Sequence, residues 1–487
     1  MSTKTIFHIS DLHKPKDLSY ETLLDSLVDD KTRWKEESIH FPDFIVISGD
    51  LIQGGYTDED IEKQYNEVSD FLEKLVIEFL NGDKSRLIMV PGNHDVNRTC
   101  TITSMNKIEN PSVDDFKLLK KKFLNPETMV RFDWDSMNFF QVEDTNRYNE
   151  RFSKFKQFYD NFYEGQRTLP PNSTKEAYIY SFDSEHMAFA CFNSCNYLDD
   201  KNVAGDIDEE SITSISNQLR ELEANGYLVI GVWHHHYYGN PYSVNYMSRD
   251  VFFPMSIKGI RIGLFGHQHI SEVADEYISP LYIVEEQRKQ NMMLLVSSGT
   301  LFGGEKHLQP GFRRQFNLIE INRNGLDSQI EVCINIREDN SRKVNNKIPY
   351  WTAQPIRSSV DNKIHKHVCV KNVDMDDMLL QITKEAYESG SFENACSKLV
   401  AIGLNDKHNR DLFDEYLQKT SLGYRIDVLQ SIDISSQETI LLLEAISREQ
   451  EKGNKVKFQL NDKVKGYIES DRLLRDLWKK ITAKQID

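Results

Sequence analysis

The chain has 487 residues and a formal net charge of -17 at pH 7, from 59 Lys and Arg against 76 Asp and Glu. That length predicts two or three domains rather than one. The acidic balance excludes a broad non-specific grip on duplex DNA, which needs clustered basic surface, and leaves room only for a local basic patch. Six scattered cysteines with no Cys-x-x-Cys pair point to neither a disulfide framework nor a thiolate zinc site, and suit a reducing cytoplasm. No run approaches the roughly 18 apolar residues of a membrane span, and the N-terminus enters a strand without an apolar signal region. The expectation is a cytoplasmic protein with no membrane association.

From Lys4 to Asn97 apolar runs alternate with amphipathic stretches around Glu21 to Val28 and Ile61 to Phe79. This is the strand–helix–strand pattern of a βαβ unit. Lys4 to Ile9, Phe44 to Ile47 and Leu87 to Val90 read as strands. The segment from about Thr99 to Asn172 breaks the rhythm and is expected to be a helical insertion, with helical spacing in Phe116 to Phe123 and Tyr148 to Tyr163. Within it Lys117, Lys120, Lys121 and Lys122 interleave with Phe116 and Phe123. A solvated lysine face is the plain reading of that pattern, and contact with a phosphate backbone and a stacked base is the functional one. Strands resume at Ile179 to Phe182 and Met187 to Phe192, followed by runs ending at Trp233, Phe265 and Val296. Gln315 to Ile321 and Gln329 to Ile336 flank Asn324-Gly325 as a closing hairpin. Residues 337–373 are polar and aperiodic and read as a linker. Residues 374–487 turn helical, with Ser435 and Glu438 spaced as a capping box. This all-α C-terminal domain is expected to bind a protein partner or a second copy of itself.

Five polar clusters stand directly after the apolar runs: Asp11-Leu12-His13, Gly49-Asp50, Gly92-Asn93-His94-Asp95, His234-His235-His236 and Gly266-His267-Gln268-His269. In α/β sheets the loops leaving the strand C-termini converge on one edge, so these side chains can meet although far apart in sequence. Carboxylates, imidazoles and one amide make a mixed N/O donor set suited to Mn²⁺, Zn²⁺, Fe or Ni²⁺. The donors outnumber the needs of one ion. Two ions about 3.5–4 Å apart, sharing a carboxylate, would form the clamp that activates a hydroxide for displacement at phosphorus.

The five motifs, in this order, resemble those of the calcineurin-like metallophosphoesterase family over about Met1 to Ile336. The resemblance implies a four-layer α/β/β/α sandwich with two divalent metal ions, Mn²⁺ favoured, at its strand ends. It implies that Asp11, His13, Asp50 and His269 hold one ion and Asp50, Asn93, His234 and His267 the other. His94 would protonate the leaving oxygen, steered by Asp95. Within the histidine run the family pattern favours His234, with His235 one residue away as the alternative. Lys14, Lys16, Arg98, Arg313 and Arg314 are candidate phosphate contacts, with plain surface charge as the alternative for each. The expected activity is a metal-dependent phosphodiesterase on nucleic acid (a nuclease) or a nucleotide. The alternatives are a phosphomonoesterase on a small molecule or phosphoprotein, and a scaffold working through its helical tail.

Overall fold

The computed structural model describes residues 2–14, 19–239, 244–277, 292–304, 307–325, 327–341, 348–357, 359–371, 375–404, 407–454, 460 and 462–483. The chain divides into two compact units, Met1–Phe182 with Met187–Asn372, and Asp183–His186 with Val373–Asp487.

In the first unit the strands are, in chain order, β1 (Ser2–Ile9), β2 (Phe44–Ile47), β3 (Leu87–Met89), β4 (Met105–Lys107), β5 (Val130–Asp133), β6 (Asn138–Val142), β7 (Tyr178–Phe182) and β8 (Met187–Cys191). They continue with β9 (Leu228–Val232), β10 (Ile260–Phe265), β11 (Glu272–Tyr277), β12 (Met292–Ser297), β13 (Gln315–Arg323), β14 (Gln329–Asp339), β15 (Trp351–Ala353) and β16 (Ile364–Cys369). One seven-stranded sheet runs β15-β14-β13-β1-β2-β3, with β16 also paired to β14. A six-stranded sheet runs β11-β12-β10-β9-β8-β7. β1, β2 and β3 are mutually parallel, as are β8, β9, β10 and β12.

Alternation along the strands sends one set of side chains between the sheets and the other outward. Ile6, Val46, Ile88, Ile319 and Ile334 of the first sheet meet Phe189, Ile230, Leu264 and Val296 of the second in one buried cluster. Phe7, Ile47 and Met89 face the other way, against the helices Tyr20–Trp34 and Asp58–Leu80. Ala188, Val229 and Leu295 do the same under the helices Glu209–Ser214, Ser216–Ala224 and Phe252–Ile257. The layers are therefore α/β/β/α.

Two expectations need correcting. The insertion is not purely helical, because β4, β5 and β6 form a three-stranded antiparallel sheet beside the helix Val113–Phe123. Val130, Phe132 and Phe139 are buried on one face of it against Leu119, a period-two pattern embedded among helical ones. The helix Ser153–Phe162 that ends the insertion is built into the outer layer, with Phe158 stacked on Tyr65 at 4.9 Å. Residues expected to be a linker instead supply β15 and β16, both antiparallel to β14. Trp351, fully buried against Phe316, ties that stretch to the core.

In the second unit the regular elements among the described residues are helices, from Met375–Ser389 to Arg472–Ala483. Leu399, Phe413, Leu417, Leu443 and Ile446 are among its fully buried side chains. The helix Ser436–Glu451 begins with the expected box: Ser435 Oγ accepts from the Glu438 amide at 3.2 Å and Glu438 accepts from the Ser435 amide. Arg410 completes it, donating to Glu438 Oε2 at 2.8 Å.

Candidate metal centre

Asp11 and His13 leave β1, Asp50 leaves β2, Asn93 and His94 leave β3, His234 leaves β9, and His267 and His269 leave β10. These strands end along one edge, and backbone bonds lock the loops together there: Asp11 N to Gly49 O at 3.1 Å, Leu12 N to Asp50 O at 2.9 Å, and Gly266 N to His234 O at 3.0 Å. The two sheets are drawn together closely at this edge. A Cβ on Gly49 would lie 2.6 Å from His234 Nδ1, and Gly49 itself has φ +96°.

All seven expected ligands converge. Asp11 Oδ1 lies 3.5 Å from His13 Nε2 and 3.2 Å from His269 Nε2. Asp50 Oδ2 lies 3.3 Å from His13 Nε2 and 3.2 Å from His234 Nε2, so one carboxylate stands between both groups. Asn93 Oδ1 lies 3.0 Å from His234 Nε2 and 2.9 Å from His267 Nδ1. His94 Nε2 is 4.0 Å from Asp50 Oδ2 at the more open side. Asp11, His13, Asp50, His267 and His269 all have positive φ, between 32° and 75°. Each such non-glycine conformation costs on the order of 1–3 kcal/mol, strain that concentrates at functional sites.

The imidazoles are oriented by main-chain acceptors. His234 Nδ1 donates to Ser48 O at 2.7 Å, His94 Nδ1 to Gln53 O at 2.8 Å, His267 Nε2 to Asn245 O at 2.6 Å, and His269 Nδ1 to His307 O. A carbonyl only accepts, so in each ring that nitrogen carries a proton, which turns the other ring nitrogen toward the centre. His13 has neither ring nitrogen hydrogen-bonded, and Asp11 Oδ1 is likewise buried without a bond. Acceptors converging in this way need positive charge among them.

Burial alone would raise the carboxyls of Asp11 and Asp50, but the surrounding histidines hold both well below the usual range. Against its own burial, His13 is pushed up to about 10 by Asp11 and Asp50, and His234 up to about 9 chiefly by Asp50. Burial, reinforced by His234, pushes His267 down to about 3. Carboxylates and imidazoles thus favour one another's charged forms here. Metal ions would compete with protons for the same ring nitrogens, as at other metal sites. The donor chemistry, the orphaned buried atoms and the shared carboxylate all fit a pair of divalent ions.

Not every expected residue plays the part foreseen. Among the described residues the Asp95 carboxylate has no hydrogen bond with His94; it accepts from Gly92 N at 2.9 Å, Leu51 N at 3.3 Å and Tyr65 OH at 3.1 Å, holding the turn that carries Asn93 and His94. His235 has its Nδ1 2.9 Å from Ser194 Oγ and its ring 4.6 Å from that of His267, whereas His234 is the member of the run whose ring nitrogen stands with the carboxylates of Asp11 and Asp50. Lys14 is paired with Glu67, Arg313 with Glu338, and Arg314 donates to Gly303 O at 2.9 Å, while Lys16 lies outside the described residues. Arg98 alone of these candidates has no hydrogen bond or ion pair among the described residues, and its charge acts on His94. The sequence reading missed His307, whose ring stacks on His13 at 5.0 Å and whose carbonyl orients His269. It also missed the carbonyls of Ser48, Gln53 and Asn245, since main-chain acceptors leave no residue signature.

The sequence matches the profile of the family described as calcineurin-like phosphoesterase over residues 4–271, more than half of the chain. Among solved structures the chain is similar to a dimetal phosphatase from Danio rerio, with 11% identity, a TM-score of 0.36, and 68% of this chain and 95% of that one covered. It is also similar to the calcineurin-like phosphoesterase YfkN from Bacillus subtilis, with 12% identity, a TM-score of 0.26, and 80% and 98% covered. A protein serine/threonine phosphatase from Saccharomyces cerevisiae follows at 10% identity, a TM-score of 0.25, and 76% and 82% covered. No curated protein matches. The chain belongs to the calcineurin-like phosphoesterase family, whose members are generally binuclear-metal hydrolases of phosphoesters.

Proposed function

We propose that the first unit is a metal-dependent phosphodiesterase acting on nucleic acid or a nucleotide, with Mn²⁺ the favoured metal. The observation that carries the two-metal reading is Asp50, whose Oδ2 lies 3.3 Å from His13 and 3.2 Å from His234 and so belongs to both ligand groups. Asp11, His13, Asp50 and His269 would hold one ion, and Asp50, Asn93, His234 and His267 the other. Bound there, such ions supply Lewis acidity and neutralise charge developing on the phosphoryl oxygens.

The remaining work falls to the chain's own groups. His94 is held by Gln53 O through Nδ1, which aims Nε2 toward the space beside Asp50. Burial lowers its pKa, so the imidazolium is a stronger acid than usual and delivers its Nε2 proton readily to a leaving oxygen. Arg98, on the first turn after Asn97, offers an unpaired guanidinium to a substrate phosphate. In the insertion, Lys117, Lys120, Lys121 and Lys122 are exposed on the helix that also exposes the ring of Phe116, with Lys117 paired to Asp114. This local basic and aromatic surface supports a polynucleotide substrate despite the acidic total. Residues 374–487, within the second unit, are the part assigned to a protein partner or to self-association.

Cleavage of end-labelled single- and double-stranded DNA with Mn²⁺, run beside Asp50→Ala, tests the assignment. Products formed only by the unaltered protein support a nuclease. Hydrolysis of bis-p-nitrophenyl phosphate without DNA cleavage narrows the substrate to a nucleotide or another small diester. Preference for the p-nitrophenyl monoester would overturn the diesterase assignment.

A further inference from the structure

A second donor cluster lies on the outward face of the first sheet and shares no residue with the metal centre. On β14, Val332 and Ile334 point into the core between the sheets, which turns Glu331 and Cys333 outward. On β16, Ile364 and Val368 face the same core, so His365 is outward too. The register places Cys333 directly opposite His365. Directly opposed antiparallel residues have Cβ atoms about 4.5–5.5 Å apart, so the pairing is set by the sheet and not by a loop.

Three unlike donor atoms meet there, all within 4.8 Å of one another: Cys333 Sγ, Glu331 Oε1 and His365 Nδ1. His365 Nδ1 lies 3.3 Å from Cys333 Sγ and 3.2 Å from Glu331 Oε1. Zinc bonds of about 2.3 Å to sulfur and about 2.0 Å to nitrogen or oxygen give tetrahedral edges of roughly 3.3–3.6 Å, close to both separations. The surrounding groups orient the donors as outer ligands do in metal sites. His365 Nε2 donates to Asp361 Oδ2 at 3.0 Å, leaving Nδ1 to face the thiol and carboxylate. Asn322 Nδ2 donates to Glu331 Oε2 at 3.2 Å, which leaves Oε1 for the cluster. Cys333 is 5% exposed, at the floor, while the His365 and Glu331 side chains are 44% and 37% exposed at the rim.

We propose that Glu331, Cys333 and His365 form a separate single-ion site for Zn²⁺, oriented by Asp361 and Asn322 and with a fourth position open to solvent. Plain ion pairing of His365 with Glu331 and Asp361 accounts for the carboxylates, and Asn322 Nδ2 donates to Cys333 Sγ at 3.6 Å, but neither contact requires a thiol between an imidazole and a carboxylate. A thiolate, an imidazole and a carboxylate form a donor set that zinc binds better than magnesium or calcium does. The ion would pin β16 to β14.

The test uses the full chain with Co²⁺ as the probe. The centre at Asp50 offers only nitrogen and oxygen donors, so a thiolate-to-cobalt charge-transfer band reports this second site alone. One equivalent of such a band is expected in the unaltered protein and none in Cys333→Ser. Asp361→Asn should weaken the affinity read from that band by about 10–100-fold, as loss of an outer carboxylate does elsewhere. His365→Ala, at an exposed position, should remove one bound Zn²⁺ per chain and leave bis-p-nitrophenyl phosphate turnover unchanged; it carries the test even where Cys333→Ser fails to fold. Absence of the band on saturating cobalt, its survival in Cys333→Ser, or unaltered zinc content in His365→Ala would each overturn the proposal. None of these outcomes depends on the activity assigned to the first centre.

Discussion

Replacing Asp95 by alanine separates a residue that holds a turn from one that steers a catalytic histidine. The change removes the acceptor of three buried donors, the Gly92 amide at 2.9 Å, the Tyr65 hydroxyl at 3.1 Å and the Leu51 amide at 3.3 Å. A buried donor left unpaired costs about 1–3 kcal/mol, which would sum to roughly 3–9 kcal/mol if additive. Two features reduce that figure. The Leu51 bond is long, and burial together with the Asp50 charge pushes the Asp95 carboxyl up to about 7, so part of what its hydrogen bonds contribute already offsets the cost of a buried charge. The expected loss is therefore near the lower end, about 3 kcal/mol of unfolding free energy. Because Asn93 and His94 ride on this turn, Mn²⁺ affinity should fall with it. Urea unfolding followed by circular dichroism, with Mn²⁺ titration of turnover over a range of pH, reads both effects. An unchanged unfolding midpoint with a displaced acid limb in the pH profile would refute this reasoning and return Asp95 to the role of steering His94.

Other substitutions are equally specific. His234→Gln should remove one metal equivalent and most turnover, whereas His235→Gln, at a ring bonded through Nδ1 to Ser194, should keep both metals; metal analysis of the two proteins checks this. His94→Gln should slow hydrolysis of esters with poor leaving groups by about 10²–10⁴-fold. The same variant should affect p-nitrophenyl esters far less, since that leaving group needs no proton, and equal effects on both would remove His94 as the acid. Arg337 and Asp30 are fully buried partners, with Arg337 Nε donating to Asp30 Oδ2 at 3.0 Å. Arg337→Ala should cost about 3 kcal/mol, the low end for breaking such a pair, because Arg33 and Trp34 still donate to Asp30. Chelation should lower the melting temperature, as an ion present at 100 times its Kd contributes about 2.7 kcal/mol.

Much of the centre was legible because its chemistry is written in side chains at the ends of apolar runs. Asp11, His13, Asp50, Asn93, His267 and His269 each follow a largely apolar strand, and the parallel order of β1 to β3 and β9 to β10 brings them together. The choice between His234 and His235 was not legible. It turns on which ring lies over Gly49, a close approach of two sheets that no local pattern encodes. The hydrogen bonds of Asp95 were not legible for a similar reason, since two of the three donors it satisfies are backbone amides. In the insertion, the period-two pattern of Val130, Phe132 and Phe139 was hidden among amphipathic helices. The supposed linker hid β15 and β16 because short edge strands with polar outward faces look aperiodic. The Cys333–His365 pairing depends on that unforeseen strand, so the scattered cysteines gave no hint of it.

The central claim is a pair of ions sharing Asp50, and electron paramagnetic resonance of the Mn²⁺-loaded chain addresses it most directly. Two Mn²⁺ ions held about 3.5–4 Å apart by one carboxylate are exchange-coupled. The account predicts two Mn²⁺ per chain and a coupled multiline signal, with both the coupling and turnover lost in Asp50→Ala. A single uncoupled ion, or turnover that survives in Asp50→Ala, would contradict it.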